Sequence, residues 1–358
     1  LFNMGNQANG SQQQSLASAV FAYAANYQNA DALAPVVSRI AHKHASVGIT
    51  SEHYPIVGRH LLGAIKQTLG DAATPALIEA WAEAYGLLAD VLIDAEKKLY
   101  AERRTQPGTL TRMKVSEVEV QSELVTSFKL EPLDGLPVWD FKPGQYISVA
   151  VELSDGQRQL RQYSLSDAPG QPWLRISVKR EPAGAETPAG RVSNWLHDNL
   201  QVGSILQASP PSGDFAPETQ SEAPIVLLSA GIGITPMISA LNHMGLTHPT
   251  RTVVFGHATR DAKSHAHRSD LAAAKSVMPN LKIATFYERL DGAEDETISE
   301  GFMAVDRLPA WSYADTDVYL CGPLKFMQTQ WHNLAEAGVP TSRLHREVFG
   351  PELLDHLL

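Results

Sequence analysis

The sequence predicts a multidomain protein with an all-α first third, a small antiparallel β-barrel in the middle and an α/β last third. Three observations predict it. Apolar residues recur at helical spacing through residues 1–105. After Pro107-Gly108 the apolar period shortens to two. From Pro224 a continuous apolar run meets Gly231-Ile232-Gly233, and strands then alternate with helices.

Composition narrows the class. With 358 residues, two or three domains are expected. A hydrophobic fraction of 44% supplies proper cores, and 19% charged residues argue against global disorder. The net charge of −10 argues against a nucleic-acid partner. One cysteine, Cys321, excludes an internal disulfide framework and suits a reducing cytosol. No apolar run approaches a membrane span, and no signal peptide is expected. The chain begins Leu1-Phe2-Asn3 without an initiator methionine, so residues upstream are expected.

The helical third carries apolar stripes through Leu16, Val20 and Ala24, and through Leu33, Val37 and Ile40. Two more run through Val57, Leu61, Ile65 and Leu69, and through Trp81, Tyr85, Leu88, Leu92 and Leu99. Together they call for an all-α bundle. His44, Glu96 and Tyr54 interrupt the stripes as polar residues. A histidine there is either a satisfied core residue or a ligand. A buried glutamate is rarer, because an unpaired buried charge is costly. It wants a proton donor. A histidine whose far nitrogen ligates a metal is such a donor, and the carboxylate makes its imidazole more electron-rich.

In Phe2-Asn3-Met4, Gln12-Gln13-Gln14, Lys43-His44-Ala45-Ser46, Tyr54-Pro55-Ile56-Val57-Gly58 and Trp81-Ala82-Glu83-Ala84-Tyr85-Gly86, the chain resembles a globin. More narrowly, it resembles the haem domain of bacterial flavohaemoglobins. The resemblance implies haem b, with His44 as proximal ligand of the iron. It implies that Tyr54 and Glu96 form a relay to that histidine, that Gln12 and Leu16 lie on the distal side, and that Phe2 and Lys43 neighbour the haem. It also implies that the first two or three globin helices, with a distal tyrosine, would precede Phe2, leaving the globin domain (1–105) N-terminally incomplete.

In the middle third, strands are expected around Met113–Val120, Ser127–Leu130, Tyr146–Ala150, Leu160–Ser166, Leu174–Val178 and Ser204–Ala208. The stretch Arg161-Gln162-Tyr163-Ser164-Leu165-Ser166 stands out. Arg161 offers a fork of donors suited to a phosphate. Tyr163 offers a flat ring for a flat heterocycle. Alone, the stretch reads as an ordinary strand, and it is what comes before and after it that changes the reading. Gly190-Arg191-Val192-Ser193-Asn194-Trp195-Leu196 leads from a Gly/Pro-rich loop into a helix, whose free N–H groups would hold a pyrophosphate.

The last third opens with Pro224–Ala230 as a buried strand, then Gly231-Ile232-Gly233-Ile234-Thr235-Pro236. The glycines admit a phosphate to the backbone, with Thr235 expected as N-cap and Pro236 as first helical residue. Further strands are expected at Thr252–Gly256, Lys282–Phe286 and Asp317–Leu320, and helices at Asp270–Ser276 and Phe326–Ala337. Ligands in open α/β sheets bind beyond the carboxyl ends of the strands, where Cys321-Gly322-Pro323 falls. Cys321 reads either as a small buried hydrophobe or as a nicotinamide contact. Leu344–Phe349 reads as a last strand, and Arg260 either meets a 2′-phosphate or is a solvated charge.

From about residue 110 onward these motifs, with Glu347-Val348-Phe349-Gly350-Pro351, resemble the ferredoxin–NADP reductase family. The resemblance implies a FAD-binding barrel (110–216) and an NAD(P)-binding α/β domain (222–358). Tyr146, Arg161, Gln162, Tyr163, Ser164, Ser193, Glu347, Val348, Phe349, Gly350 and Pro351 would serve FAD. Gly231, Ile232, Gly233, Ile234, Thr235, Pro236, Cys321, Gly322 and Pro323 would serve NAD(P)H.

Along nearly its full length the chain is thus similar to flavohaemoglobins. The implied function is nitric oxide dioxygenase: NAD(P)H reduces FAD, FAD reduces the haem iron, and ferrous-oxy haem converts NO to nitrate. The alternatives are an NAD(P)H-dependent flavin reductase without functional haem and an oxygen-binding or sensing haem protein. Expected partners are the small molecules NO and O2. A cytoplasmic monomer with a possible lipid in its haem pocket is implied; nucleic acid and a membrane span are not.

Overall fold

A computed structural model describes residues 11–26, 29–133, 135–184, 188–290, 292 and 298–350, without the side chains of 11, 12 and 30–32. Phe2 and Pro351, and the Gln12 side chain, therefore lie outside the described residues. The chain forms two compact units. One holds residues up to Leu110 with Ser212–Asp214 and the chain from Gly350; the other holds Thr111–Pro211 and Phe215–Phe349.

The first unit is helical: α1 (Ser11–Asn26), α2 (Ala30–Val47), α3 (Tyr54–Leu69) and α4 (Pro75–Glu102). Thr74 caps α4 by accepting from Leu77 N, and Pro75 occupies the first turn, where its missing N–H costs nothing. Val20, Ala41, Ile49, Leu88, Ala89 and Leu92 form the core, with Tyr54 among them. The stripe expected on α3 is only partly buried: Leu61 and Ile65 are intermediate and Leu69 is exposed. Within its unit α3 packs mainly on α4, so one narrow seam is all it covers.

The second unit holds two sheets. Strands β1 (Thr111–Val120), β2 (Val125–Pro132), β3 (Tyr146–Glu152), β4 (Arg158–Ser164), β5 (Leu174–Lys179) and β6 (Ile205–Ala208) form an antiparallel sheet in the order β4-β3-β6-β1-β2-β5. Its edges approach each other through a bridge between Leu165 and Ile176, and Ser166 N donates to Arg175 O at 2.8 Å. That bridge curls the sheet toward the expected barrel. Met113, Phe128, Leu130, Ile147, Val149 and Ile176 fill it, and α5 (Arg191–Asn199) closes one end with Val192 and Leu196.

The second sheet is parallel throughout, in the order β10-β9-β8-β7-β11-β12. Its strands are β7 (Ile225–Ala230), β8 (Val253–Thr259), β9 (Leu281–Tyr287), β10 (Ile298–Glu300), β11 (Asp317–Cys321) and β12 (Leu344–Glu347). Helices α6 (Ile234–Thr247), α7 (Arg268–Val277) and α8 (Leu324–Glu336) connect them, and apolar clusters lie on both faces. The edge strand β10 is absent from the sequence reading, because three residues of mixed polarity carry no period. Helix α6 also departs from expectation. Gly231–Gly233 wind a 3-10 turn, α6 starts at Ile234, and Thr235 Oγ1 donates back to Ile232 O at 3.0 Å instead of capping.

Candidate functional site

The helical unit converges on one imidazole. His44 lies in the last turn of α2. Its Nδ1 lies 2.8 Å from Glu96 Oε1 and 3.1 Å from the Tyr54 hydroxyl. Tyr54 in turn donates to the same carboxylate oxygen. Glu96, on α4, is 2% exposed. Burial first, then the hydrogen bond to Glu96 and its charge, keeps the Tyr54 phenol protonated far above its ordinary range. Tyr85 fixes Tyr54 from behind by donating to its carbonyl at 2.7 Å, and burial pushes the Tyr85 phenol up to about 12. A proton on Nδ1, donated to the carboxylate, would leave Nε2 with its lone pair. Among the described residues no hydrogen bond occupies His44 Nε2, and the side chain is 35% exposed. An imidazole with its near nitrogen held by a buried carboxylate fits a residue that would hold a haem iron. Leu16 is partly buried against the same core, and Lys43 Nζ donates to the Gly350 carbonyl at 3.0 Å.

The second unit gathers the remaining motifs. In the register of β3 and β4, Tyr146 opposes Ser164, Ile147 opposes Tyr163, and Val149 opposes Arg161. Strand alternation puts Arg161 and Tyr163 on one face, and Gln162 and Ser164 on the other. Arg161 donates to Leu160 O at 2.7 Å and Gln159 Oε1 at 3.2 Å, but among the described residues no carboxylate pairs with it. Burial depresses its pKa, Tyr163 opposes that, and the neighbouring cation Arg191 adds to it. A half-buried guanidinium with no carboxylate partner among the described residues fits an anionic phosphate. Burial also raises the Tyr163 phenol, so the ring is neutral and packs on the barrel core. Ser193 is engaged at the start of α5: its hydroxyl accepts from Glu181 N at 3.2 Å and donates to Gly190 O at 3.3 Å. These bonds shape the turn that presents the helix N-terminus.

At the carboxyl ends of β7 and β11 the backbone itself forms the candidate site. Gly231 has φ +53°, and an added Cβ would meet only open space. Gly233 is the reverse: an added Cβ would fall 2.3 Å from the Cys321 carbonyl oxygen. One glycine leaves backbone open to a ligand; the other lets two strand ends touch. Ile234, Thr235 and Pro236 are buried, whereas Ile232 and Gly322 are partly exposed and Pro323 is exposed. Cys321 is fully buried in the core, and burial holds its thiol protonated, with the Glu347 charge adding to that. Its backbone carbonyl faces Gly233. Glu347, itself buried, pairs with Cys321 in the β11–β12 register; Val348 is buried and Phe349 exposed just beyond. An exposed turn of this kind fits a pyrophosphate.

A second polar group was not found by sequence reasoning. Arg175, Asp167, Asp270, His267, Asn242 and Ser239 interlock between barrel and parallel sheet. No local period or motif marks them. Among the described residues no group of three or more His, Cys, Asp or Glu is arranged to hold a metal ion, and no helix is long and apolar enough to cross a membrane.

Comparison with known proteins identifies the three domain types. Residues 2–92 match the Globin family model, 112–216 the Oxidoreductase FAD-binding domain and 227–331 the Oxidoreductase NAD-binding domain. A flavohemoprotein of Bordetella parapertussis is 47% identical over 359 residues, covering 98% of this chain and 89% of that one. The crystal structure of a flavohemoglobin from Malassezia yamatoensis, with bound FAD and heme, superposes with a TM-score of 0.84 at 32% identity, over 98% of this chain and 89% of that one. The FAD/NAD-binding domain of a nitric oxide dioxygenase from Vibrio cholerae matches 67% of this chain and 99% of its own, with TM-score 0.62 and 38% identity.

Proposed function

The chain belongs to the flavohemoprotein family, and from that premise we propose that it is an NAD(P)H- and O2-dependent nitric oxide dioxygenase, turning NO into nitrate. When bound, FAD supplies the exchange between a two-electron donor and a one-electron acceptor, and haem b supplies the iron at which O2 and NO react. NAD(P)H is the electron donor.

The observation that carries this reading is the His44–Glu96 contact at 2.8 Å inside a helical core. A storage globin needs only a ligand; a carboxylate on its far nitrogen strengthens the ligand's donation and favours oxygen activation. In this reading His44 Nε2 holds the iron, while Glu96 and Tyr54 hold the Nδ1 proton and fix the ring. Gln12, Leu16, Phe2 and Lys43 are assigned to the haem surroundings. Arg161 neutralises a phosphate of FAD, Tyr163 and Tyr146 offer rings, and Gln162, Ser164 and Ser193 complete its polar contacts. Glu347, Val348 and Phe349 border the flavin. Gly231 through Pro236 admit the NAD(P)H pyrophosphate, and Cys321-Gly322-Pro323 lie on the nicotinamide side.

We assign the helical domain to residues 1–105, the flavin domain to 110–216 and the nucleotide domain to 222–358. The protein is taken to work as a cytoplasmic monomer whose haem pocket admits a lipid; the lone cysteine supports a reducing compartment. The test is NO consumption by haem- and FAD-loaded protein with NADH. Sustained turnover supports the proposal. NADH oxidation without NO loss would favour a plain flavin reductase.

A further inference from the structure

We propose that Arg175, Asp270, Asp167, Asn242 and Ser239 are positioning residues that set the nicotinamide donor against the flavin acceptor. This rests on the reading that NAD(P)H reduces FAD within the second unit.

Arg175, on β5, donates through Nε to the Ser166 carbonyl at 3.1 Å, and through Nη2 to the same carbonyl and to Asp270 Oδ1, the latter at 2.8 Å. Asp270, on α7, also accepts from Asn242 Nδ2 at 2.8 Å and from His267 Nδ1 at 2.9 Å. Asn242 Nδ2 reaches Asp167 Oδ1 as well, at 3.0 Å. Ser239 Oγ donates to the Asp167 carbonyl at 2.7 Å, and Trp173 Nε1 donates to Asp167 Oδ2 at 3.1 Å. The Arg175 and Asp270 side chains are 7% and 9% exposed. Burial alone would raise the Asp270 carboxyl, but the hydrogen bonds and charges of His267 and Arg175 reverse that and hold it well below the carboxylate range.

The two ends of this network are what give it a role. On the barrel side it grips Ser166 and Asp167, immediately after the Arg161–Ser164 stretch on β4. On the other side it grips α6, whose first turn follows the open Gly231 turn. Thr235, Ser239 and Asn242 stand at i, i+4 and i+7, one face of that helix, and Ser239 and Asn242 reach the barrel. Two turns of rigid helix therefore join the clamp to the nucleotide turn.

Buried ion pairs are a poor glue, since well-packed apolar side chains often stabilise as much or more. A directional network instead selects one geometry. Hydride transfer needs one: the hydride leaves the reduced nicotinamide ring with its electron pair, oxidising it, and reduces the flavin, which takes up a proton from solvent. Reacting atoms must sit about 3–3.5 Å apart, and a 1 Å misplacement costs roughly 100-fold.

The experiment uses FAD-loaded full-length protein, wild type and the variants Asp270→Asn, Asn242→Leu and Ser239→Ala. Flavin bleaching by NADH, and by NADH deuterated at the transferred position, is followed anaerobically. Calorimetry gives NAD+ affinity, and hydrogen exchange of the α6 first turn is measured in FAD-free protein. The expected result is bleaching slowed roughly 10- to 100-fold, a larger isotope effect, faster exchange in α6, and FAD content and NAD+ affinity nearly unchanged. Ser239→Ala, which removes one hydroxyl, keeps the test open if Asp270→Asn does not fold. Unchanged bleaching in all folded variants, or slowing only in step with lost FAD or NAD+ affinity, overturns the proposal. A wild type that NADH does not bleach would overturn the functional reading itself.

Discussion

Glu96 Oε1 lies 2.8 Å from His44 Nδ1, from a position 52 residues further along the chain and inside the helical core. In the proposed function Glu96 tunes the imidazole. Glu96→Gln replaces the anion by a neutral amide of similar shape. The iron–histidine stretching frequency should fall, the haem potential should rise, and haem retention should weaken by about 10- to 100-fold. Resonance Raman spectra, potentiometry and haem-transfer kinetics measure the three in turn; an unchanged frequency would count against the relay.

His44→Ala should abolish haem incorporation while leaving NADH-driven reduction of ferricyanide intact. The imidazole belongs to the helical unit, and every residue assigned to the nucleotide turn belongs to the other. Loss of both activities together would show the division of labour to be wrong.

Arg161 is a half-buried guanidinium lacking a carboxylate partner among the described residues. Arg161→Ala removes a charge-assisted contact worth about 1.5–3 kcal/mol. FAD retention through gel filtration should drop correspondingly, by roughly 10- to 100-fold in dissociation constant. Full flavin content would contradict the assignment.

Gly233→Ala places a methyl 2.3 Å from the Cys321 carbonyl oxygen, and backbone must move to admit it. Overpacking of this kind costs about 1–3 kcal/mol. The variant should melt earlier and show a raised KM for NADH, because the turn before α6 and the Cys321-Gly322-Pro323 turn are displaced together. An unchanged KM would mean that neither turn meets the nucleotide.

Acid should destabilise the parallel-sheet region through its buried histidines. His265 lies tilted against His257 with ring centroids 4.6 Å apart, its Nδ1 is 2.8 Å from the Tyr287 hydroxyl, and burial first, then Arg268 and His267, lowers its pKa to about 3. The unfolded chain therefore binds this proton more readily, starting near the ordinary value of 6.5. The stability from keeping His265 neutral is full above pH 6.5 and is lost as pH falls from there toward 3. His257 and His267, both lowered chiefly by burial, act in the same direction, with Asp270 beside His267 opposing it. Thermal melts across this range should show the midpoint falling with pH, and His265→Gln should flatten the slope. A midpoint indifferent to pH would show that these histidines charge freely in the fold.

Where local pattern carries the information, the sequence was readable. His44 and Glu96 each stand out because a polar side chain falls on an apolar helical stripe, but it is the resemblance to flavohaemoglobins, not the spacing, that pairs them. The six barrel strands and the Gly231-Ile232-Gly233 turn follow from period and glycine placement. Helix α3 was over-read: Leu69 keeps the spacing yet is 42% exposed, because spacing marks a face without saying what covers it. The start of α6 was misread, since a Thr-Pro pair looks like a cap whether or not a 3-10 turn precedes it. The Arg175–Asp270 link, 95 residues apart, was invisible, because isolated polar residues acquire meaning only when strand order brings them together.

The most direct measurement of the central claim is nitrate formed by full-length protein loaded with haem and FAD and supplied with NADH, O2 and NO. Nitrate should accumulate in proportion to NADH consumed until a substrate runs out. A burst equal to the haem present, followed by none, would contradict the account.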